Sequence, residues 1–262
     1  MGLASHIKPS PAASTTGKPQ NVTLWQRAFP SAHYSGLSIS DLPSARTPIL
    51  QFYGVSQHKI KHKLITCNGI ATKIDYELYA EYFNNIYWLR NYIKCLAAAR
   101  VLAEHIPQAT TFFDIGGGIG PFSSAILDTM PRANVSIIDR SRTQLRVFET
   151  LQTKGILSNN FKFILQSLSL TNLCDISAPK LFSYMLCENP DFLRDNRKTL
   201  KIIGSLSIIV DYASVVEKIG RRAKNAGMGA TWFTQIEIPL DQSLSDLIGQ
   251  QSISVSGGVF WK

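Results

Sequence analysis

The residues of this chain best suited to chemistry are two aspartates and the glycines between them. Asp114, Gly116, Gly117, Gly118 and Gly120 fall within seven positions, and Asp139 stands about twenty residues on, at the end of an apolar stretch. Glycines after a strand let the backbone approach a ligand at the N-terminus of the following helix. An acid at the end of the next strand can accept from both hydroxyls of a ribose. The ligand that suits this pattern therefore carries a ribose. A second polar group, Glu188, Asn189 and Asp191, lies in the stretch ENPDF. A carboxylate there could serve as a general base, and the Asn amide could orient an acceptor.

Positioning these groups requires a strand, a turn and a helix in succession. Phe112, Phe113 and Ile115 read as a buried strand, the glycines as a turn, Pro121 to Met130 as an amphipathic helix, and Val135 to Ile138 as a second strand. Arg142 to Lys154 reads as a helix stopped by Gly155, and Phe161 to Leu165 as a third strand. Leu181 to Cys187 is expected to be the fourth strand, which would place Glu188 just beyond its carboxyl end. A helix over Phe192 to Ile203, a strand over Ser205 to Val210 and a helix over Val215 to Asn225 follow. Thr231 to Ile238 and Ser252 to Trp261 alternate polar and apolar residues, as an antiparallel hairpin does. Upstream, Leu78, Tyr82, Ile86, Leu89, Ile93, Leu96 and Leu102 form an apolar stripe over about Asp75 to His105, on one or two helices.

Glycine spacing narrows the ligand. The dinucleotide fingerprint G-x-G-x-x-G/A fails in both frames, because its third position falls on Pro121 or on Ser123. Asp114, Gly116, Gly118 and Gly120 instead give acid-x-G-x-G-x-G, which resembles the first signature of the Rossmann-like (class I) S-adenosylmethionine-dependent methyltransferases. The stretch DIGGGIGPFSSAI is most similar to the small-molecule O-methyltransferases of that superfamily, over about thirty residues. The catalytic histidine of those enzymes has no counterpart here.

The resemblance implies an α/β fold with a doubly wound, mostly parallel seven-stranded sheet, preceded by N-terminal helices. It implies that Gly116, Gly117, Gly118 and Gly120 line the methionyl and ribose parts of S-adenosylmethionine, that Asp114 helps to hold its amino group, and that Asp139 takes the ribose. Arg140 is a further candidate cofactor contact. An arginine there could also signal a 2′-phosphate, but Asp139 would face the same phosphate. Gln166 and Ser167, just past the third strand, are implied to approach the adenine, and Glu188 to reach the cofactor or act as base. ENPDF partly resembles the N-P-P-Y/F tetrapeptide of amino-group methyltransferases, with Asp191 in place of the second proline. Tyr79 and Tyr82 are the aromatic residues of the upstream helix expected to reach a planar acceptor.

Composition bounds the remaining possibilities. The chain has 262 residues, 45% hydrophobic and 17% charged, enough for one α/β domain with an extension. No apolar run reaches the roughly 18 residues that span a bilayer, and no signal peptide opens the chain, so a cytoplasmic protein without a membrane role is expected. The four cysteines, Cys67, Cys95, Cys174 and Cys187, form no C-x-x-C pair, and no metal site is expected.

Of the net charge of +9, residues 1–74 carry eight Lys or Arg against one acid, Asp41. Residues 1–63 are expected to be a basic, Ser/Pro-rich extension, at least partly flexible, 64–109 a helical region, and 110–262 the cofactor-binding core. The densest cluster, His58 to Lys63, could dock an acidic partner or present a solvated face.

The function expected is methyl transfer to an oxygen, or a nitrogen, of a small and possibly aromatic acceptor. A methyltransferase acting on RNA or protein, a nicotinamide-dependent oxidoreductase and a non-catalytic subunit of the same fold remain as alternatives. The sequence is silent on oligomeric state.

Overall fold

A computed structural model describes residues 24–32, 36–43, 76–106, 111–157 and 160–262. The basic cluster His58 to Lys63 lies outside the described residues, as do the side chains of Tyr79 and Tyr82.

The chain forms helices α1 (Leu24–Ala28) and α2 (Tyr76–Val101), then β1 (Thr111–Ile115), α3 (Pro121–Thr129), β2 (Asn134–Asp139), α4 (Arg142–Thr153) and β3 (Phe161–Leu165). These are followed by α5 (Leu170–Asp175), β4 (Lys180–Ser183), α6 (Met185–Glu188), α7 (Asn196–Ile203), β5 (Leu206–Val210), α8 (Ala213–Asn225), β6 (Gly229–Pro239), α9 (Gln242–Ile248) and β7 (Ser252–Trp261). Seven strands make one sheet in the order β3-β2-β1-β4-β5-β7-β6. The first five are parallel, and β7 runs antiparallel between β5 and β6. Strand order reverses between β1 and β4, which places a topological switch point beside the carboxyl end of β1.

Both faces of the sheet are covered at its centre, so β4 and β5 are buried along most of their length rather than alternating. Ile137, Leu181, Ile208 and Val210 pack under α2, α3 and α4 on one face. Ile138, Phe182, Ile209 and Phe260 pack under α5, α7 and α8 on the other. All five residues of β5 are buried, as expected of a central strand. In the second half of α2 the residues from Tyr92 to Ala99 are buried all round apart from Lys94. The helix contacts α1, α3, α4, α9 and β7, so a single apolar stripe does not suffice.

Three sequence expectations need correction. The fourth strand ends at Ser183 rather than Cys187, because Tyr184 turns into the left-handed region (φ 57°) and Met185–Glu188 forms a short helix. The helix expected from Phe192 begins at Asn196, where the Asp195 side chain accepts from the Lys198 backbone N–H; Pro190–Leu193 is a separate 3-10 turn. The C-terminal pair is antiparallel as expected, but its connection holds α9, which Asp241 caps through the Leu244 N–H. Within the expected extension, residues 24–32 and 36–43 pack on the domain: Ala28, Phe29 and Leu37 are fully buried, and Leu37 bridges to Leu240.

Candidate active site

A cleft of about 560 Å³ opens at the switch point, bordered by the glycine turn, the ends of β2, β3 and β4, and one face of α2. Its size falls within the roughly 300–1,000 Å³ of small-molecule sites.

Asp114 organises the floor of the cleft. Its carboxylate is fully buried, and Oδ2 accepts from the Ser123 backbone N–H at 3.1 Å and the Ser123 hydroxyl at 2.6 Å. Ser123 lies in the first turn of α3, whose N-cap Gly120 offers no side chain. A carboxylate from β1 thus caps that helix and neutralises its positive end. Oδ1 has no hydrogen-bond partner among the described residues. Burial raises the Asp114 carboxyl to about 6, against the pull of both Ser123 hydrogen bonds.

The glycines are required for two different reasons. Gly116, Gly118 and Gly120 have φ of 67°, 55° and 76°, a region costly to residues with a Cβ. Gly117 is not left-handed; a Cβ there would stand 2.5 Å from Asp114 Cγ and 2.7 Å from both carboxylate oxygens. The turn is therefore seated on the Asp114 carboxylate.

Asp139 reaches across from β2. Oδ2 accepts from the Gly118 N–H at 3.0 Å and Oδ1 from the Ser141 N–H at 2.9 Å. Each oxygen keeps a second lone pair, and the half-buried side chain borders the cleft. The two backbone bonds fix the carboxylate plane before any ligand arrives.

Arg140, Gln166 and Ser167 border the cleft at the β2–β3 end. The Gln166 N–H donates to the Asp139 carbonyl at 2.8 Å, which extends the ladder one residue past β3. Glu188 and Asn189 border the opposite end and are exposed. The Asn189 amide donates to the Met185 carbonyl at 2.8 Å and so closes α6. Asp191 is not brought to the cleft: its side chain is 74% exposed and pairs with Arg194 at 3.0 Å.

Further residues border the cleft that the sequence reading did not select. Asn84, Trp88 and Asn91 do so from α2, at spacings of four and three that share one face. Asn84 and Gln144 exchange amide hydrogen bonds of 2.8 and 3.2 Å while both are buried, and this pins α2 over the start of α4. Two asparagines flanking a tryptophan on an otherwise apolar face were the available signal. Tyr184 also borders the cleft, and Lys94 Nζ donates to its hydroxyl at 2.8 Å. Asp211, at the end of β5, accepts from the Cys187 and Tyr212 N–H groups and ties α6 to the neighbouring strand.

No protein-family model matches this sequence, and no curated protein matches it. Among solved structures, the chain is similar to precorrin-6y C5,15-methyltransferase from Geobacter metallireducens, at 16% identity over 64% of this chain and 85% of that one, TM-score 0.42. It is similar to the plantazolicin methyltransferase BpumL in complex with S-adenosylhomocysteine, at 16% identity over 79% and 98% of the two chains, TM-score 0.45. A cyclopropane-fatty-acyl-phospholipid synthase-like protein from Lactobacillus casei covers 68% of this chain and 93% of its own, at 12% identity and TM-score 0.46. With its strand order reversing beside β1 and an antiparallel β7 set between β5 and β6, the chain has a Rossmann-like, doubly wound, mostly parallel seven-stranded α/β fold.

Proposed function

We propose that this chain is an S-adenosylmethionine-dependent methyltransferase acting on a small-molecule acceptor, through oxygen in preference to nitrogen. The observation that carries the reading is Asp139. Its carboxylate is oriented by the Gly118 and Ser141 N–H groups at the carboxyl end of β2, within the cleft formed at the switch point. That is where a ribose diol would meet two acceptor oxygens. The fit of the methionyl end rests on Asp114, whose buried Oδ1, beside the glycine turn, lacks a partner among the described residues and suits an ammonium group.

In this reading Gly116, Gly117, Gly118 and Gly120 shape the backbone around the methionyl and ribose groups. Arg140, Gln166 and Ser167 border the adenine, with the Gln166 amide and Ser167 hydroxyl as its hydrogen-bond partners. The sulfonium of the bound cofactor supplies an already activated methyl group. The chain's own task is to hold the acceptor in line with it and to exclude water. Glu188, at the rim beyond β4, takes the proton of a hydroxyl acceptor, and Asn189 borders the same end. Trp88 supplies an aromatic wall, to which Tyr79 and Tyr82 of the same helix would add. Acceptors on RNA or protein form the second class, for which the basic N-terminal segment would be the docking arm.

Calorimetric titration with S-adenosylhomocysteine and, separately, NADH tests the reading. Binding of the homocysteine adduct, weakened at least about tenfold (about 1.4 kcal/mol) in Asp139→Ala, is the expected result. Preference for NADH, or no binding of either ligand, would overturn it.

A further inference from the structure

We propose that the β4 end of the cleft takes an acceptor bearing a carboxylate, anchored by the Tyr184 hydroxyl with Lys94 and Arg90 behind it. The inference rests on the methyltransferase reading of the cleft and names its substrate class.

Tyr184 occupies the first position past β4 and borders the cleft. Its φ of 57° is a strained conformation for a residue with a bulky aromatic side chain, and such outliers persist where the surroundings hold them. The surroundings here are Lys94 and Tyr212. Lys94 Nζ lies 2.8 Å from the Tyr184 hydroxyl and 4.8 Å from its ring centre, and Tyr212 meets that ring edge-on at 5.5 Å. The hydroxyl oxygen accepts from the ammonium, which leaves its proton to be donated. No acceptor for that proton is found among the described residues. Burial raises the Tyr184 phenol above its ordinary range, so it acts as a neutral donor and not as a base.

Charge points the same way. Lys94 and Arg90 are one turn apart on α2, and neither forms an ion pair among the described residues. Arg90 Nε is buried with no hydrogen-bond partner among the described residues, while Nη2 donates to the Ile248 carbonyl at 3.5 Å and the guanidinium stands 5.8 Å from the Tyr87 ring. Burial, and then the neighbouring Arg90, lower the Lys94 ammonium to about 8, so it is still charged at neutral pH. Glu237 acts on Lys94 only weakly, and is itself exposed and bonded by the Ser252 hydroxyl at 3.0 Å. Asp211 lies on the Tyr184 side, with both oxygens committed to backbone N–H groups. Two half-buried cations with no counter-ion among the described residues are costly, and an anionic ligand at the tyrosine hydroxyl relieves that cost. A single carboxylate matches one charge-assisted O–H donor backed by the cation pair.

Ligand-observed NMR on the full chain loaded with S-adenosylhomocysteine tests this, with a set of small aliphatic and aromatic carboxylates and their matched primary amides. The expected result is that carboxylates bind about tenfold more tightly than their amides, the worth of a charge-assisted hydrogen bond. With the homocysteine adduct held at saturation, Tyr184→Phe and Lys94→Met should abolish that preference, and Lys94→Arg should retain part of it. Equal binding of acids and amides, no binding of any carboxylate, or a preference that survives both variants would overturn the proposal. The adduct titration is read separately, so loss of cofactor binding marks failure of the methyltransferase reading, while cofactor binding without acid preference marks failure of this inference alone.

Discussion

Replacing Gly117 by alanine isolates the packing of the glycine turn on Asp114. The backbone at Gly117 lies outside the left-handed region, so alanine brings no conformational strain of its own. What it brings is a Cβ 2.5 Å from Asp114 Cγ, with 2.7 Å to each oxygen. The neighbour cannot simply swing away, because Oδ2 is held by two hydrogen bonds to Ser123 inside the protein. Either the turn lifts or the carboxylate moves and loses those bonds. Overpacking of this kind costs about 1–3 kcal/mol, and a hydrogen bond to a charged group contributes about 1.5–3 kcal/mol, so a loss of about 3 kcal/mol is expected.

Gly155→Ala is the control. Its φ is 67°, and a Cβ there meets nothing within 4 Å, so it reports left-handed strain alone, about 1–2 kcal/mol. Urea denaturation of both variants, followed by titration with S-adenosylhomocysteine, separates the effects. Gly117→Ala should lose more stability than Gly155→Ala and also bind the adduct less tightly, whereas Gly155→Ala should bind normally. If Gly117→Ala matched the parent in both stability and binding to within about 0.5 kcal/mol, the range of a neutral surface change, the seating of the turn on Asp114 would be refuted.

Two further predictions concern the carboxylates. Because burial raises the Asp114 carboxyl from 3.8 to about 6, its contribution to stability is fully present below about pH 4 and is lost as pH rises to about 6. At about 1.36 kcal/mol per pKa unit this amounts to about 3 kcal/mol, so the stability of Asp114→Asn relative to the parent should climb by up to that amount between pH 4 and 7. A flat difference in denaturation midpoints across that range would exclude the effect. For Glu188, the glutamine variant should lower kcat about 10²–10⁴-fold with any hydroxyl acceptor that the parent methylates, and leave homocysteine-adduct binding intact. An unchanged kcat would remove Glu188 from the role of base.

Much of the fold was legible because each signal was local. Glycines at left-handed positions, a proline at the first turn of α3 and apolar runs of strand length fixed β1 to β3 and the helices between them. The pairing of acid-x-G-x-G-x-G with a second acid at the end of β2 located the cleft. The end of β4 was not legible: LFSYMLC is apolar throughout and reads as one strand. What stops it is a left-handed tyrosine held by Lys94, some ninety residues away in the chain. The same limit hid the role of Gly117, which depends on where the Asp114 carboxylate lies and not on any turn preference.

The sequence by itself determined the order of elements, the glycine turn and the two acids, because backbone conformation and hydrophobic period are properties of neighbours in the chain. Only the tertiary structure decided which polar side chains share the cleft. Asn84 and Gln144 lie sixty residues apart, and Lys94 and Tyr184 ninety, and each pair meets where α2 packs across the sheet. It also decided that Asp191 stands in solvent while Glu188 borders the cleft, since three residues of helix and turn aim them apart. Composition is indifferent to such choices; the packing of one long helix across the ends of the strands makes them.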